Sequence, residues 1–404
     1  MEIKSLLEMH GQSHLMRDYM QWNEAERKQF EQQIGQIDWS IFESMNAVWE
    51  ENSGDVSPIE GLSLREIETH RSEYLKIGTE AIRQGKIIAV LLAGGQGTRL
   101  GTSSPKGAYN IGITRPLYIF EQLIDNLKKV CTQCNAYVPL LIMTSEKNDE
   151  ETRTFFAKHS YFGYPASHVR FFVQEMAPCV DFSGKLLLEG RGKVATSPNG
   201  NGGWYRSLER AGLLKDRLLS NAEWFNVVAV DNVLQRIADP VFVGATIVSG
   251  KKCGAKFVRK NRPEEKVGLL CQRDGLPCVV EYYELPERLA TLQDPSGELV
   301  YSYGVTLNYL FHASTLAEIA SQKIPVHTVK KKISFLNEDG MLTEPDEVNG
   351  YKFETLILDM VRLMGSCLPY EAEREKEFAP VKNKTGVDSV ETAQKLLLLN
   401  GVIL

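Results

Sequence analysis

The sequence predicts an α/β fold: a Rossmann-like, doubly wound mixed sheet with an N-terminal helical segment before it and a small C-terminal lobe after it. Three observations predict it. From about residue 60 to residue 330, apolar runs of strand length alternate with polar amphipathic segments. The first run, Ile87-Ile-Ala-Val-Leu-Leu92, breaks at once into Ala93-Gly-Gly-Gln-Gly97, the βα turn of a ligand-binding open sheet. Before residue 55, apolar residues recur at helical spacing among Glu, Lys, Arg and Gln.

In chain order, Leu6, Leu7, Leu15, Met16, Tyr19 and Trp22, then Phe30, Ile34, Ile37, Phe42 and Met45, place helices over the first segment. Glu51-Asn-Ser-Gly-Asp-Val-Ser-Pro58 reads as a linker. Strands are expected at Ile87–Ala93, Pro139–Thr144, Val169–Val173 and Asn226–Val230, with helices at Leu117–Cys131 and Glu150–His159 between the early ones. Lys256–Val258, Val267–Cys271, Val279–Tyr282 and Thr306–Phe311 follow without long helices between them, as in a smaller antiparallel part. Helices over Lys352–Met364 and Thr392–Leu399 complete the chain. The expected division is 1–60, 61–330 and 331–404.

Composition narrows the function. The formal net charge of −6 argues against broad nucleic-acid or anionic-membrane binding, which needs a basic surface. No run approaches ~20 apolar residues, so no membrane-spanning helix is expected. Met1-Glu-Ile-Lys-Ser-Leu-Leu-Glu-Met-His10 has no apolar signal region, and the seven scattered cysteines suit a reducing compartment, so the expected location is the cytoplasm. Cys131-Thr-Gln-Cys134 has no second pair for zinc and reads as two ordinary thiols. His159, His312 and His327 lack metal-ligand spacing and read as structural.

The chemistry-bearing run is Leu92-Ala-Gly-Gly-Gln-Gly-Thr-Arg-Leu-Gly101 with Pro105-Lys-Gly107 behind it. Glycines let a backbone approach an anion closely, and successive N–H groups make an electropositive concavity to which Arg99 and Lys106 add fixed charge. The run is not a P-loop, because Gly101 is followed by Thr102. It is not the dinucleotide fingerprint either, because the third glycine is missing from its place. Ser197-Pro-Asn-Gly-Asn-Gly-Gly203 is a second glycine-rich turn before a helix; it is a flexible loop or a surface that a base or sugar approaches, with Asn201 as donor and acceptor. Asp231 ends an apolar strand, where it is a magnesium ligand or a cap. Glu281 ends another, where it accepts from sugar hydroxyls or forms a surface ion pair. Lys330 and Lys331 read as solvated.

The glycine run with its Pro-Lys resembles the signature of sugar-1-phosphate nucleotidyltransferases. With Met143-Thr-Ser145, His159-Ser-Tyr-Phe-Gly163, Phe171-Phe-Val-Gln174, Gly184-Lys-Leu-Leu-Leu-Glu189, Pro198-Asn-Gly-Asn-Gly-Gly203, Val230-Asp-Asn232, Val279-Val-Glu-Tyr282, Lys330-Lys-Lys-Ile333, Asn349-Gly-Tyr-Lys352 and Glu377-Phe-Ala-Pro-Val-Lys-Asn383 in the same order, the chain resembles the eukaryotic-type UDP-N-acetylglucosamine pyrophosphorylases within the UDP-sugar pyrophosphorylase group. The resemblance implies the nucleotide-diphospho-sugar transferase type of fold. It implies transfer of a uridylyl group from UTP to a sugar 1-phosphate, most directly N-acetylglucosamine 1-phosphate, with Mg²⁺ as cofactor. Leu92, Gly94, Gly95 and Lys106 would then hold the nucleotide, and Gln174 and Gly200 would recognise uracil. Asn201 and Glu281 would face the sugar. Asp231 would bind the magnesium, and Lys352 and Lys382 would reach the phosphates, Lys352 from the sugar side. Arg99, Lys106 and Lys382 are the implied catalytic charges. Two departures stand out. Val305 occupies a position where the family has a sugar-side Asn, Asn308 matching only a later one, and Leu356 and Leu358 replace an aromatic pair. They leave open a UDP-glucose or broader UDP-sugar enzyme, or a silent nucleotide-sugar-binding protein.

Overall fold

The structure, a computed structural model, describes residues 3–45, 54–320, 322, 324–337 and 339–404. Residues 51–53 of the expected linker lie outside the described residues. The chain divides into two interleaved compact units: 1–53, 175–203 and 324–357 form the smaller, and 54–174, 204–323 and 358–404 the larger. This differs from the contiguous division at 60 and 330. The N-terminal helices share a unit with two later segments, and residues 331–404, expected as one lobe, divide between the two units.

The larger unit holds a ten-stranded mixed sheet. Its strands are β1 (Val56–Ser57), β2 (Ile87–Leu92), β3 (Leu140–Thr144), β4 (Val169–Val173), β5 (Trp224–Ala229), β6 (Cys253–Arg259), β7 (Leu269–Arg273), β8 (Leu276–Val280), β9 (Tyr303–His312) and β10 (Cys367–Glu371). Every strand expected in the sheet is present. β5, β2, β3 and β4 run parallel in that spatial order. β9 pairs antiparallel with both β5 and β6, and β10 adds parallel to β6. β2 is buried along its whole length. Ile87, Ala89 and Leu91 belong to the core cluster that includes the helices Arg71–Arg83, Ile119–Cys134 and Pro240–Ser249. Ile88 and Val90 alternate with them and are equally buried. Burial on both faces is why β2 and its neighbour β3 read as apolar runs.

The expected helix over 352–364 is corrected. Gly350–Glu354 is a strand, and the helix begins at Ile357. Apolar Tyr351 and Phe353 alternate with charged Lys352 and Glu354, a period of two that suits a strand pairing with His327–Lys331. The helices at Asp149–Lys158 and Val390–Leu399 match expectation within two residues. Cys131 and Cys134 are buried and unbridged in the helix core. No described helix is long and apolar enough to cross a membrane.

In the smaller unit, helices Ile3–Met9, Leu15–Tyr19 and Glu24–Gln36, with Trp22 in the turn between the last two, bury Leu7, Leu15, Trp22, Phe30 and Ile34 against Val180, Leu186, Leu188, Val194 and Phe353. Asn23 starts the last of these helices with a capping box to Glu26. Gln12 reaches 172 residues along the chain to donate to Gly184 O at 2.9 Å.

Candidate active site

β2 is the first strand of the parallel block. The chain then winds outward to β3 and β4 on one side and returns to β5 on the other, so the order reverses between β2 and β5. Open α/β sheets bind ligands at the carboxyl ends of the two strands flanking such a reversal. Leu92 and Ala229 are register partners, so the glycine loop after β2 and the Val230-Asp-Asn232 segment after β5 leave the sheet side by side.

The loop is built by its own backbone and one buried side chain. Gly97 N–H donates to Ser104 O and Lys106 N–H to Gly95 O, which folds Pro105-Lys106 back beside the glycines. Asn148, 1% exposed, donates from Nδ2 to Ala93 O at 3.0 Å and to Gly95 O at 3.3 Å, while its Oδ1 accepts from Ser145 N. It acts as a clamp between the ends of β2 and β3. A Cβ on Gly94 would stand 2.7 Å from Gln174 Nε2, whereas one on Gly95 would meet nothing within 4 Å. Gly94 is therefore small to seat Gln174, and Gly95 presents bare backbone. Gly107 allows the loop to lie on the helix Ile119–Cys134, since a Cβ there would be 2.2 Å from the Phe120 ring.

Charge converges on this loop. Lys106 Nζ lies 3.8 Å from Asp231 Oδ2. Burial pushes the Lys106 ammonium below the ordinary lysine value; Asp231 opposes that shift, and the neighbouring charges of Lys382 and Arg99 add to it. Lys382 arrives on the segment 377–383, which is fastened to the end of β5. Val381 N–H donates to Asp231 O, Val233 N–H to Ala379 O, and Asn232 bonds Glu377 O and Ala379 N–H through its amide. Lys382 itself donates to Asp388 at 3.0 Å. Arg99 is exposed beside the loop. Three cations thus stand around an open, glycine-lined backbone with Asp231 beside Lys106 and Asp388 on Lys382, an arrangement suited to a polyphosphate.

Glu281 follows β8. Burial and then Glu284 push its carboxyl above the usual range, against the pull of Lys382. A Cβ on Gly268 would lie 3.4 Å from Val305 and 3.9 Å from Glu281 Oε2, so these two side chains flank one small space. Asn308 does not share it. It is buried in the sheet, accepts from Asn226 Nδ2 and donates to Arg236 O.

Gly200, Asn201 and Lys352 belong to the smaller unit. Gly200 has φ +79° and a Cβ there would be 2.2 Å from Thr355 O. Asn201 Oδ1 accepts from Ile357 N at 2.9 Å. The glycine-rich turn is therefore closely packed on residues 355–357, and one acceptor position of Asn201 is committed to holding it there. Lys352 pairs with Val329 in the strand register; burial pushes the nearby Cys179 thiol up, and the Lys352 charge opposes that shift. Gly107 and Asn232 stand in motifs that the sequence displays, but their roles, and Asn148 altogether, are not legible there, where short polar and glycine residues after strands read as turns.

The donor set bears on magnesium. Among the described residues no group of three or more His, Cys, Asp or Glu stands together as a metal cage. Asp231 alone, about a quarter exposed, fits an ion that takes its other ligands from substrate phosphates.

A family model described as UTP–glucose-1-phosphate uridylyltransferase matches residues 26–399. The chain belongs to this uridylyltransferase family. It is 38% identical over 341 residues to the human UDP-N-acetylhexosamine pyrophosphorylase-like protein 1, covering 81% of this chain and 67% of that protein. It is 36% identical over 344 residues to the Saccharomyces cerevisiae UDP-N-acetylglucosamine pyrophosphorylase, covering 82% and 72%. The chain spans about two thirds of the length of the human, mouse and frog relatives. Its fold matches the crystal structure of the Trypanosoma brucei uridine diphosphate N-acetylglucosamine pyrophosphorylase with TM-score 0.82 and 26% identity, over 98% of this chain and 83% of that one.

Proposed function

We propose that the chain transfers the uridylyl group of UTP to a sugar 1-phosphate, N-acetylglucosamine 1-phosphate before others, releasing pyrophosphate. The observation that carries this reading is the gathering of Arg99, Lys106, Lys382 and Asp231 around the glycine loop at the reversal of strand order. The phosphate of a sugar 1-phosphate is already anionic at neutral pH, so its attack on the α-phosphorus needs no general base. The obstacle is bringing two polyanions together, which cations and backbone N–H groups overcome by neutralisation and alignment. Lys106 and Lys382 would stabilise charge on the transferred phosphorus, and Arg99 on the departing pyrophosphate. A magnesium ion carried by the triphosphate would touch Asp231 and supply further neutralisation. Gly95 offers backbone to the nucleotide, and Glu281, ionised, accepts from sugar hydroxyls.

A broader sugar preference is favoured by one observation, the apolar Val305 beside Glu281, which provides no hydrogen bond to an acetamido group or a hydroxyl. Pyrophosphate release measured with UTP, Mg²⁺ and a panel of sugar 1-phosphates tests both readings. The expected result is highest kcat/KM with N-acetylglucosamine 1-phosphate. Equal turnover with glucose 1-phosphate would establish the broader enzyme, and no release with any sugar would leave a binding protein.

A further inference from the structure

A buried ion cluster stands directly behind the phosphate-facing segment 377–383, in the same unit. Lys256 on β6 has 1% of its side chain exposed. Its ammonium donates to Asp239 Oδ2 at 2.8 Å and to Glu377 Oε2 at 2.5 Å, with the rings of Phe242 and Tyr370 at 5.4 and 5.5 Å. Asp239 is equally buried, caps the helix Pro240–Ser249 through Val241 N–H, and lies 3.5 Å from Arg236. A buried cluster of this kind is a poor source of stability, because desolvation offsets the attraction between its members. Its connections give it another use. Glu377, clamped by Lys256 through its carboxylate, accepts from Asn232 through its main-chain carbonyl. Asn232 in turn accepts from Ala379 N–H, and Val381 N–H bonds Asp231 O. The residue next to Asp231 and the residue next to Lys382 are thus parts of one continuous bonded path that begins at Lys256.

We propose that Lys256, Glu377 and Asn232 are positioning residues for uridylyl transfer: the buried cluster anchors the 377–383 segment so that Lys382 is held beside Lys106 and Asp231. The proposal rests on the transferase reading above. None of the three touches substrate; each acts through the placement of Lys382, where a displacement of about 1 Å is enough to cost ~10²-fold in rate.

Glu377→Gln keeps the side-chain volume and leaves the Asn232 bond to the backbone intact, while removing one of the two carboxylates on Lys256. The expected result is a kcat lower by about 10- to 100-fold with KM for UTP changed less than threefold. The same change placed on Lys382→Ala should lower kcat no further than Lys382→Ala alone, since the lysine it positions is gone. A kcat within twofold of the parent with only a lower Tm, or full additivity with Lys382→Ala, would overturn the proposal. Amide hydrogen exchange supplies a readout that needs no turnover. Peptides covering 377–383 should exchange at least tenfold faster in Glu377→Gln, while those of the helix Ile119–Cys134 stay unchanged. Unchanged exchange at 377–383 overturns the anchoring even if the parent chain proves inert with every sugar, an outcome that by itself would overturn only the transferase reading. Asn232→Ser carries the same measurements if Glu377→Gln does not fold.

Discussion

Single residues in this site are distinguishable by what surrounds them. Lys106 is mostly buried, with its ammonium held below the ordinary value chiefly by desolvation. Lys106→Ala should therefore leave Tm unchanged or higher while kcat drops roughly 10²–10³-fold, the loss expected for one electrostatic stabiliser; near-normal turnover would remove its catalytic role. Glu281 allows a pH prediction. Its carboxyl is raised by burial and by Glu284. The folded chain accordingly holds that proton more tightly than the unfolded chain, and stability falls as pH rises from the usual glutamate range through the raised value. Glu281→Gln should be neutral or stabilising near pH 7 by thermal melting, yet raise KM for the sugar 1-phosphate. In the parent, that KM should rise as pH falls through the raised carboxyl value, and Glu284→Gln should move the rise to lower pH. A KM flat across this range would exclude an ionised Glu281 as a sugar ligand.

At the scale of elements, the two glycine loops separate into different physical roles. Gly95 has open space where a Cβ would go, and Gly200 has a carbonyl at 2.2 Å and a left-handed φ. Gly95→Ala should barely alter stability while raising KM for UTP about tenfold through lost backbone approach. Gly200→Ala should lower stability by roughly 2–4 kcal/mol through strain and overpacking. Denaturant titration beside UTP kinetics checks both, and a stable, UTP-weak Gly200→Ala would reverse the assignment. β2 and β3 were legible because burial on both faces turns them into apolar runs, as in Ile87–Leu92. The loop after Ile87–Leu92 was legible as a βα turn because its glycines follow directly on such a run. The clamping roles of Asn148 and Asn232 were not, since a polar residue after a strand looks the same whether it ends a turn or clamps a loop. Gly350–Glu354 was misread because its alternation covers only five residues and runs into a true helix.

At the scale of the whole chain, the division into interleaved units escaped the sequence because the bonds that hold each unit together, such as Gln12 with Gly184, join residues with no local pattern in common. Removing residues 1–45 should expose Val180, Leu188 and Phe353 and unsettle the 175–203 segment. The truncated chain should melt earlier and lose turnover, whereas retained kcat would make the N-terminal helices dispensable. The same interleaving bears on synthesis. The apolar faces of the first three helices are made roughly 280 residues before the 324–357 segment that completes their unit, an interval of about 15–55 s at 5–20 residues per second. Through that time Leu7, Trp22 and Phe30 lack Phe353, so a nascent chain must carry an unfinished hydrophobic surface while the larger unit is still being assembled. The yield of folded protein should consequently respond to translation speed and chaperone supply more strongly than the stability of the finished molecule would indicate.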